Sequence, residues 1–123
     1  MHPAPIPGGT DMDIVVHEAD AGAAVLECSG RLNMVSAPTF RETVAKVVGD
    51  GRPRVVVELS GVEFMDSSGL GALVGSLKAA RQAGGDLRIA APSDQVEMVL
   101  KLSNMDKILR TYPDGDAAVT DWA

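Results

Sequence analysis

Aromatic residues, cysteine and positive charge are all scarce in this chain of 123 residues. The four aromatic side chains are Phe40, Phe64, Tyr112 and Trp122, so Val, Leu, Ile, Ala and Met must build the core. A single cysteine, Cys28, excludes an internal disulfide framework and a cysteine-based metal cluster. Seventeen acidic and eleven basic residues give a net charge of −6, which argues against nucleic acid or an anionic membrane surface as the main partner.

Long apolar runs and a leader-like N-terminus are also missing from the sequence. No stretch approaches the length of a membrane span, and no basic segment followed by an apolar one opens the chain. We therefore expect a cytoplasmic protein without a secretory signal. Proline and glycine crowd the opening MHPAPIPGGT, which predicts a disordered tail over 1–10 followed by one domain over 11–123.

The hydrophobic pattern of the domain alternates between strand and helix periods. Strands are predicted at 12–18, 23–29, 54–59, 86–91 and 107–112, and helices after the N-cap Ser36, at 68–83, after Pro92 and after Gly115. Residues 30–35 are predicted to be a connector and residues 60–66 a loop. The order predicts a hairpin followed by right-handed βαβ connections. We expect a single α/β domain with a mixed sheet of four to five strands covered by about four helices.

The segment LSGVEFMDSSGLG at residues 59–71 combines several features typical of a functional site. It follows the central strand, opens the second predicted helix, and holds two hydroxyls beside an acid and two glycines. Ligands and partners of α/β proteins meet the sheet at the carboxyl ends of its strands. We therefore expect function to reside at this strand-to-helix junction.

Two interpretations of the serines in this segment remain open from the residues alone. Asp66, Ser67 or Ser68 could cap the helix, a contribution of about 1 kcal/mol. Alternatively, Ser67 could accept a phosphoryl group, which adds about −1.5 to −2 charges at pH 7. A helix N-terminus favours such a negative charge, so the domain would stay folded while an apolar or acidic partner would be repelled.

A stripe of small residues runs along the same predicted helix at Gly71, Gly75 and Ala79. Each glycine costs a helix about 1 kcal/mol relative to alanine, so some contact must compensate for it. Close packing of the helix on the sheet and close approach of a partner are both possible explanations.

The stretch FMDSSGLG, Phe64–Gly71, resembles the signature of anti-sigma factor antagonists, the bacterial branch of the STAS domain family. The resemblance extends over roughly residues 12–120. The residues Gly30–Asn33 stand where the family has a G-x-L-D type turn, and Leu102–Met105 stand where members often have L-S-G-L. The chain departs from the family at Asn33, where the turn has Asp.

The resemblance implies a partner-switching function. It assigns the phosphoacceptor to Ser67 and the partner to an anti-sigma factor with ATP-dependent, GHKL-type serine kinase activity. The unphosphorylated form would bind that partner and free the sigma factor, phosphorylation would block binding, and a PP2C-type phosphatase would reset the switch. Asp66 would help the kinase find the serine. The expected partner-binding residues are Asn33, Met34, Asp66, Ser68, Gly69, Leu70 and Gly71.

Enzymatic interpretations of the same residues lack essential groups. A serine hydrolase needs a base, but His2 lies in the tail and His17 lies on the first strand, where a structural role is simpler. The motif also lacks G-x-S-x-G. A dinucleotide fingerprint begins at Gly69 and Gly71 but fails because Val74 stands at the third glycine position.

Asp66 at a strand end also resembles the phosphoacceptor of a receiver domain. Such a site needs further carboxylates for Mg²⁺, and the first strands supply no adjacent acid pair. We therefore expect no enzymatic activity, no cofactor and no bound metal. A non-phosphorylated STAS subunit of a stress-signalling scaffold or a lipid-transport complex remains the alternative function.

Overall fold

The computed structural model describes residues 6–7, 11–120 and 122, which build a mixed sheet with helices on both faces. The strands are β1 (Ile6–Pro7), β2 (Met12–Glu18), β3 (Ala23–Leu32), β4 (Arg54–Met65), β5 (Asp86–Ala90) and β6 (Thr111–Tyr112). The helices are α1 (Ala37–Gly49), α2 (Ser67–Gln82), α3 (Asp94–Leu102) and α4 (Gly115–Thr120). The predicted α/β architecture is confirmed.

The sheet has the order β1-β2-β3-β4-β5-β6. The strands β1, β2 and β3 pair antiparallel, and β3 to β6 pair parallel. The predicted hairpin of β2 and β3 is confirmed, with a turn at Asp20–Gly22. The strand β1 adds a short edge strand to the five predicted ones and falls within the segment predicted as a tail. The remaining residues of that segment, 1–5 and 8–10, lie outside the described residues.

The two central strands continue further than the sequence predicted. The strand β3 includes 30–32, predicted as a connector, and β4 includes 60–65, predicted as a loop. The two extensions pair with each other as far as Leu32 opposite Met65, with irregular register after Glu27 and after Gly30. The boundaries were wrong because this pairing joins segments that are distant in sequence.

Two apolar clusters lie on opposite faces of the sheet, because successive side chains of a strand alternate between its faces. On one face, Val55 and Val57 of β4 pack with the buried sides of α1, α2 and α3. On the other face, Val56 packs with Ala118 and Val119 of α4. Within the described residues, each helix is too short or too polar to span a lipid bilayer.

Candidate functional site

The strand-to-helix junction is built around Asp66, the residue between β4 and α2. Its backbone is extended, and its Oδ1 accepts a hydrogen bond of 2.9 Å from the backbone N–H of Gly69. Asp66 is therefore the N-cap of α2, and neither Ser67 nor Ser68 provides this cap. Ser67 is the first residue of the helix and is exposed, whereas Ser68 is half-buried.

Asp66 also ties the junction to the turn that follows β3. Its Oδ2 accepts a hydrogen bond of 3.3 Å from the backbone N–H of Met34. Its own N–H donates to the carbonyl oxygen of Leu32 at 3.3 Å. The structure thus brings the turn predicted to border the site against the start of α2, although the two segments are more than thirty residues apart in sequence.

The turn before α1 is organised by Asn33 rather than by a capping serine. The Oδ1 of Asn33 accepts hydrogen bonds from the N–H groups of Val35 and Ser36, at 3.0 and 3.2 Å. Its Nδ2 donates to Oδ2 of Asp11 at 2.6 Å. Ser36 is the N-cap position of α1, as predicted. Its side chain makes no capping hydrogen bond, because this buried hydroxyl donates to the carbonyl of Arg31 at 2.7 Å.

Residues at the start of α2 and in the adjoining Asn33 turn form a partly apolar surface. Met34 is 73% exposed, Ser67 and Gly71 are exposed, and Leu70 is half-buried. We call these four residues the switch surface.

The glycines of α2 have different environments. Gly69 is buried, and a Cβ there would collide with the carbonyl oxygen of Leu32, so the close approach that Gly69 permits is internal. Gly71 and Gly75 are exposed. A Cβ at Gly71 would meet only Nη2 of Arg41, at 3.7 Å, and one at Gly75 would meet open space. Packing on the sheet therefore does not explain Gly71 and Gly75.

Sequence reasoning missed two side chains, Ser93 just before α3 and Gln95 within it, that hold the last part of β4. The Nε2 of Gln95 donates to the carbonyl oxygen of Met65 at 3.0 Å, and its Oε1 accepts from the N–H of Met65 at 2.8 Å. Ser93, which precedes α3, donates its hydroxyl to the carbonyl oxygen of Val62 at 2.7 Å. No local pattern signals these bonds, because they cross about thirty residues of sequence.

The other chemically active side chains lie away from the junction. Nε2 of His17 and Oε2 of Glu27 are in hydrogen-bond contact at 2.6 Å across the β2–β3 hairpin. Cys28 is buried, and desolvation, together with the charges of Glu58 and Glu27, raises the pKa of its thiol far above the usual range. Across the described part of the chain, no three His, Cys, Asp or Glu side chains are grouped so that they could hold a metal ion.

Comparison with known proteins gives concordant matches. The family model of the STAS domain matches residues 13–118. A protein of Thermotoga maritima, provisionally named an anti-sigma factor antagonist, is 34% identical over 89 residues, which cover 72% of this chain and 79% of that relative. The anti-sigma-B factor antagonist of Staphylococcus aureus is 30% identical over 84 residues, with 68% and 78% coverage.

A solved structure extends the similarity to nearly the whole chain. The crystal structure of an anti-sigma factor antagonist from Mycobacterium paratuberculosis superimposes with a TM-score of 0.80 at 30% sequence identity. The match covers 96% of this chain and 97% of that one.

Proposed function

This chain belongs to the STAS domain family of anti-sigma factor antagonists, and we propose that a phosphoryl group on Ser67 switches its partner binding off. In the unmodified form it binds an anti-sigma factor, which then releases the sigma factor. In the modified form it no longer binds. Transcription is thereby regulated through an exchange of partners.

The observation that carries this proposal is that Asp66 and Ser67 have different positions and roles at the start of α2. Asp66 supplies the side-chain cap of α2, and Ser67 occupies the exposed first position of the helix. Modification of the Ser67 hydroxyl therefore removes no capping hydrogen bond. The free amide groups and the dipole of the helix N-terminus favour the added negative charge, so the modified domain keeps its fold.

The same phosphoryl group opposes docking at the switch surface. It places about −1.5 to −2 charges at pH 7 beside the exposed Met34 and the half-buried Leu70. A partner that covers these apolar side chains would have to desolvate the phosphate, which is costly. Because 1.4 kcal/mol corresponds to about a tenfold change in affinity, a penalty of about 3–4 kcal/mol would weaken binding by a few hundredfold or more.

The proposed partner is an anti-sigma factor that also has GHKL-type serine kinase activity, and a PP2C-type phosphatase removes the phosphoryl group. The similarity of Phe64–Gly71 to the antagonist signature supports these assignments. We place the exchange in the cytoplasm, where sigma factors act. Asn33 and Met34 border the contact, and the exposed Gly71 allows a partner to approach the backbone of α2.

A capture experiment followed by phosphorylation tests the proposal. Ser67→Ala protein serves as bait in a lysate of the native cell, and the captured anti-sigma factor is then incubated with wild-type protein and ATP. We expect mass spectrometry to find one phosphoryl group on wild-type protein and on Ser68→Ala, and none on Ser67→Ala. Phosphate on Ser68 that persists in Ser67→Ala would refute the assignment. Capture of a partner that never phosphorylates the chain would favour the non-phosphorylated STAS subunit instead.

A further inference from the structure

The outer edge of β4 near the junction is not covered by a neighbouring strand. The strand β5 pairs with β4 only as far as Glu58, opposite Ala90, so residues 59–65 extend beyond it. Successive residues of a strand direct their N–H and C=O groups to alternate sides. Since the N–H of Asp66 is directed at Leu32 of β3, the N–H and C=O of Met65 are directed to the opposite side.

The side-chain amide of Gln95 takes the place of the missing strand. It accepts from the N–H of Met65 at 2.8 Å and donates to the carbonyl of Met65 at 3.0 Å. We call these two hydrogen bonds the Gln95 clamp. Met65 is only 1% exposed, so its main-chain groups depend on a protein partner. Only Asp66 separates the clamped residue from Ser67.

We propose that Gln95 is a positioning residue for the phosphorylation of Ser67. The inference rests on the proposed function. It assigns Gln95 a role that acts through Met65 rather than through contact with the reacting Ser67 hydroxyl or with ATP. The hydroxyl must approach the γ-phosphate in line, and catalysis of phosphoryl transfer consists largely of such positioning. The other restraints on the junction come from β3, the Asn33 turn and α2, through Asp66. The Gln95 clamp adds the restraint from α3.

Gln95→Met tests the clamp, because methionine has nearly the same length and makes neither hydrogen bond. The kinase captured on Ser67→Ala protein is assayed with ATP and each variant as substrate. We expect Gln95→Met to lower kcat about tenfold to a hundredfold, since misplacement of a reacting group by about 1 Å costs up to a hundredfold. We expect KM to change little, because the switch surface is unaltered.

Ser103→Ala is the matched control. The Ser103 hydroxyl donates to the carbonyl of Val99 at 2.7 Å, so its removal also deletes a side-chain hydrogen bond of α3, but at the end of the helix far from Met65. We expect wild-type kcat for this variant. Hydrogen exchange of the Met65 amide provides a second readout, faster in Gln95→Met and unchanged in Ser103→Ala.

Gln95→Glu keeps the test informative if the methionine variant unfolds. Ionised glutamate still accepts from the N–H of Met65 but cannot donate to its carbonyl. We expect kcat to fall in this variant too, because the new carboxylate oxygen faces the carbonyl oxygen of Met65 and repels it. Wild-type kcat in both variants would overturn the role of Gln95 while leaving the switch at Ser67 intact. Failure of wild-type protein to be phosphorylated at Ser67 would overturn the proposed function and the role of Gln95 with it.

Discussion

At the scale of single residues, the asparagine at position 33, where the resemblance implies an aspartate, has a local explanation. The amide Nδ2 of Asn33 donates to the carboxylate of Asp11 at 2.6 Å, and its Oδ1 organises the turn before α1. An aspartate at position 33 could form the turn but would place a second carboxylate against Asp11. Asp11, the residue just before β2, supplies a carboxylate beside this turn.

Asn33→Asp is therefore expected to destabilise the fold. Two adjacent carboxylates raise the pKa of one of them, so the loss is absent below the ordinary carboxyl pKa and complete above the raised pKa. We expect a loss of about 1–3 kcal/mol at neutral pH, measured by urea unfolding as a function of pH. Asp11→Asn combined with Asn33→Asp restores a donor and an acceptor and should recover most of the stability. An equal loss at low pH, where both acids are protonated, would contradict the explanation.

At the scale of structural elements, α2 carries glycines with opposite functions. Gly69 lets the helix begin against the backbone of Leu32, whereas Gly75 lies on the exposed side with open space around it. In the free protein, Gly75 therefore contributes only the unfavourable helix propensity of glycine. Nothing within the described domain therefore requires glycine at this position.

Alanine substitutions in α2 should separate these two functions. Gly75→Ala is expected to stabilise the free protein by about 0.5–1 kcal/mol, since alanine is the better helix former and meets no neighbour. Gly69→Ala is expected to destabilise it by about 1–3 kcal/mol, because the new Cβ collides with the Leu32 carbonyl. Thermal unfolding monitored by circular dichroism measures both changes. A stabilising Gly69→Ala would show that the junction is looser than described.

The boundaries of β4 show where sequence patterns stop being sufficient. The apolar run Val55–Val57 predicts a central strand, but Ser60, Gly61 and Glu63 have the composition of a loop. The segment is nevertheless a strand, because β3 pairs with Gly61 and with residues after it on one side. On the other side, Ser93 and Gln95 bind β4. Each of these contacts crosses twenty-five or more residues of sequence, and no periodicity within the segment encodes them.

At the scale of the whole molecule, the sequence was enough for the architecture and for the position of the junction. The alternating strand and helix periods predicted the order of the elements, and the motif at Phe64–Gly71 led to the family. The motif could not show that Asp66 caps the helix and that Ser67 is exposed. All three candidate caps satisfied the same local rule, and only the three-dimensional structure distinguishes them.

The net charge of the molecule is consistent with the proposed switch if the phosphoryl group acts locally on a protein partner rather than through the overall electrostatic field. The net charge is already −6, so one phosphoryl group changes the total only moderately. Its effect must come from its position on the switch surface. Salt screens exposed charges over about 8–10 Å, so in the proposed switch the repulsion would act only on a partner that contacts α2 and the Asn33 turn.

Isothermal titration calorimetry of the captured anti-sigma factor against unmodified and Ser67-phosphorylated protein tests the central claim most directly. Both forms should show the same circular dichroism spectrum, because the helix N-terminus accommodates the phosphate. We predict that phosphorylation weakens binding by at least a few hundredfold, which corresponds to about 3–4 kcal/mol. Equal affinities of the two folded forms would contradict the account.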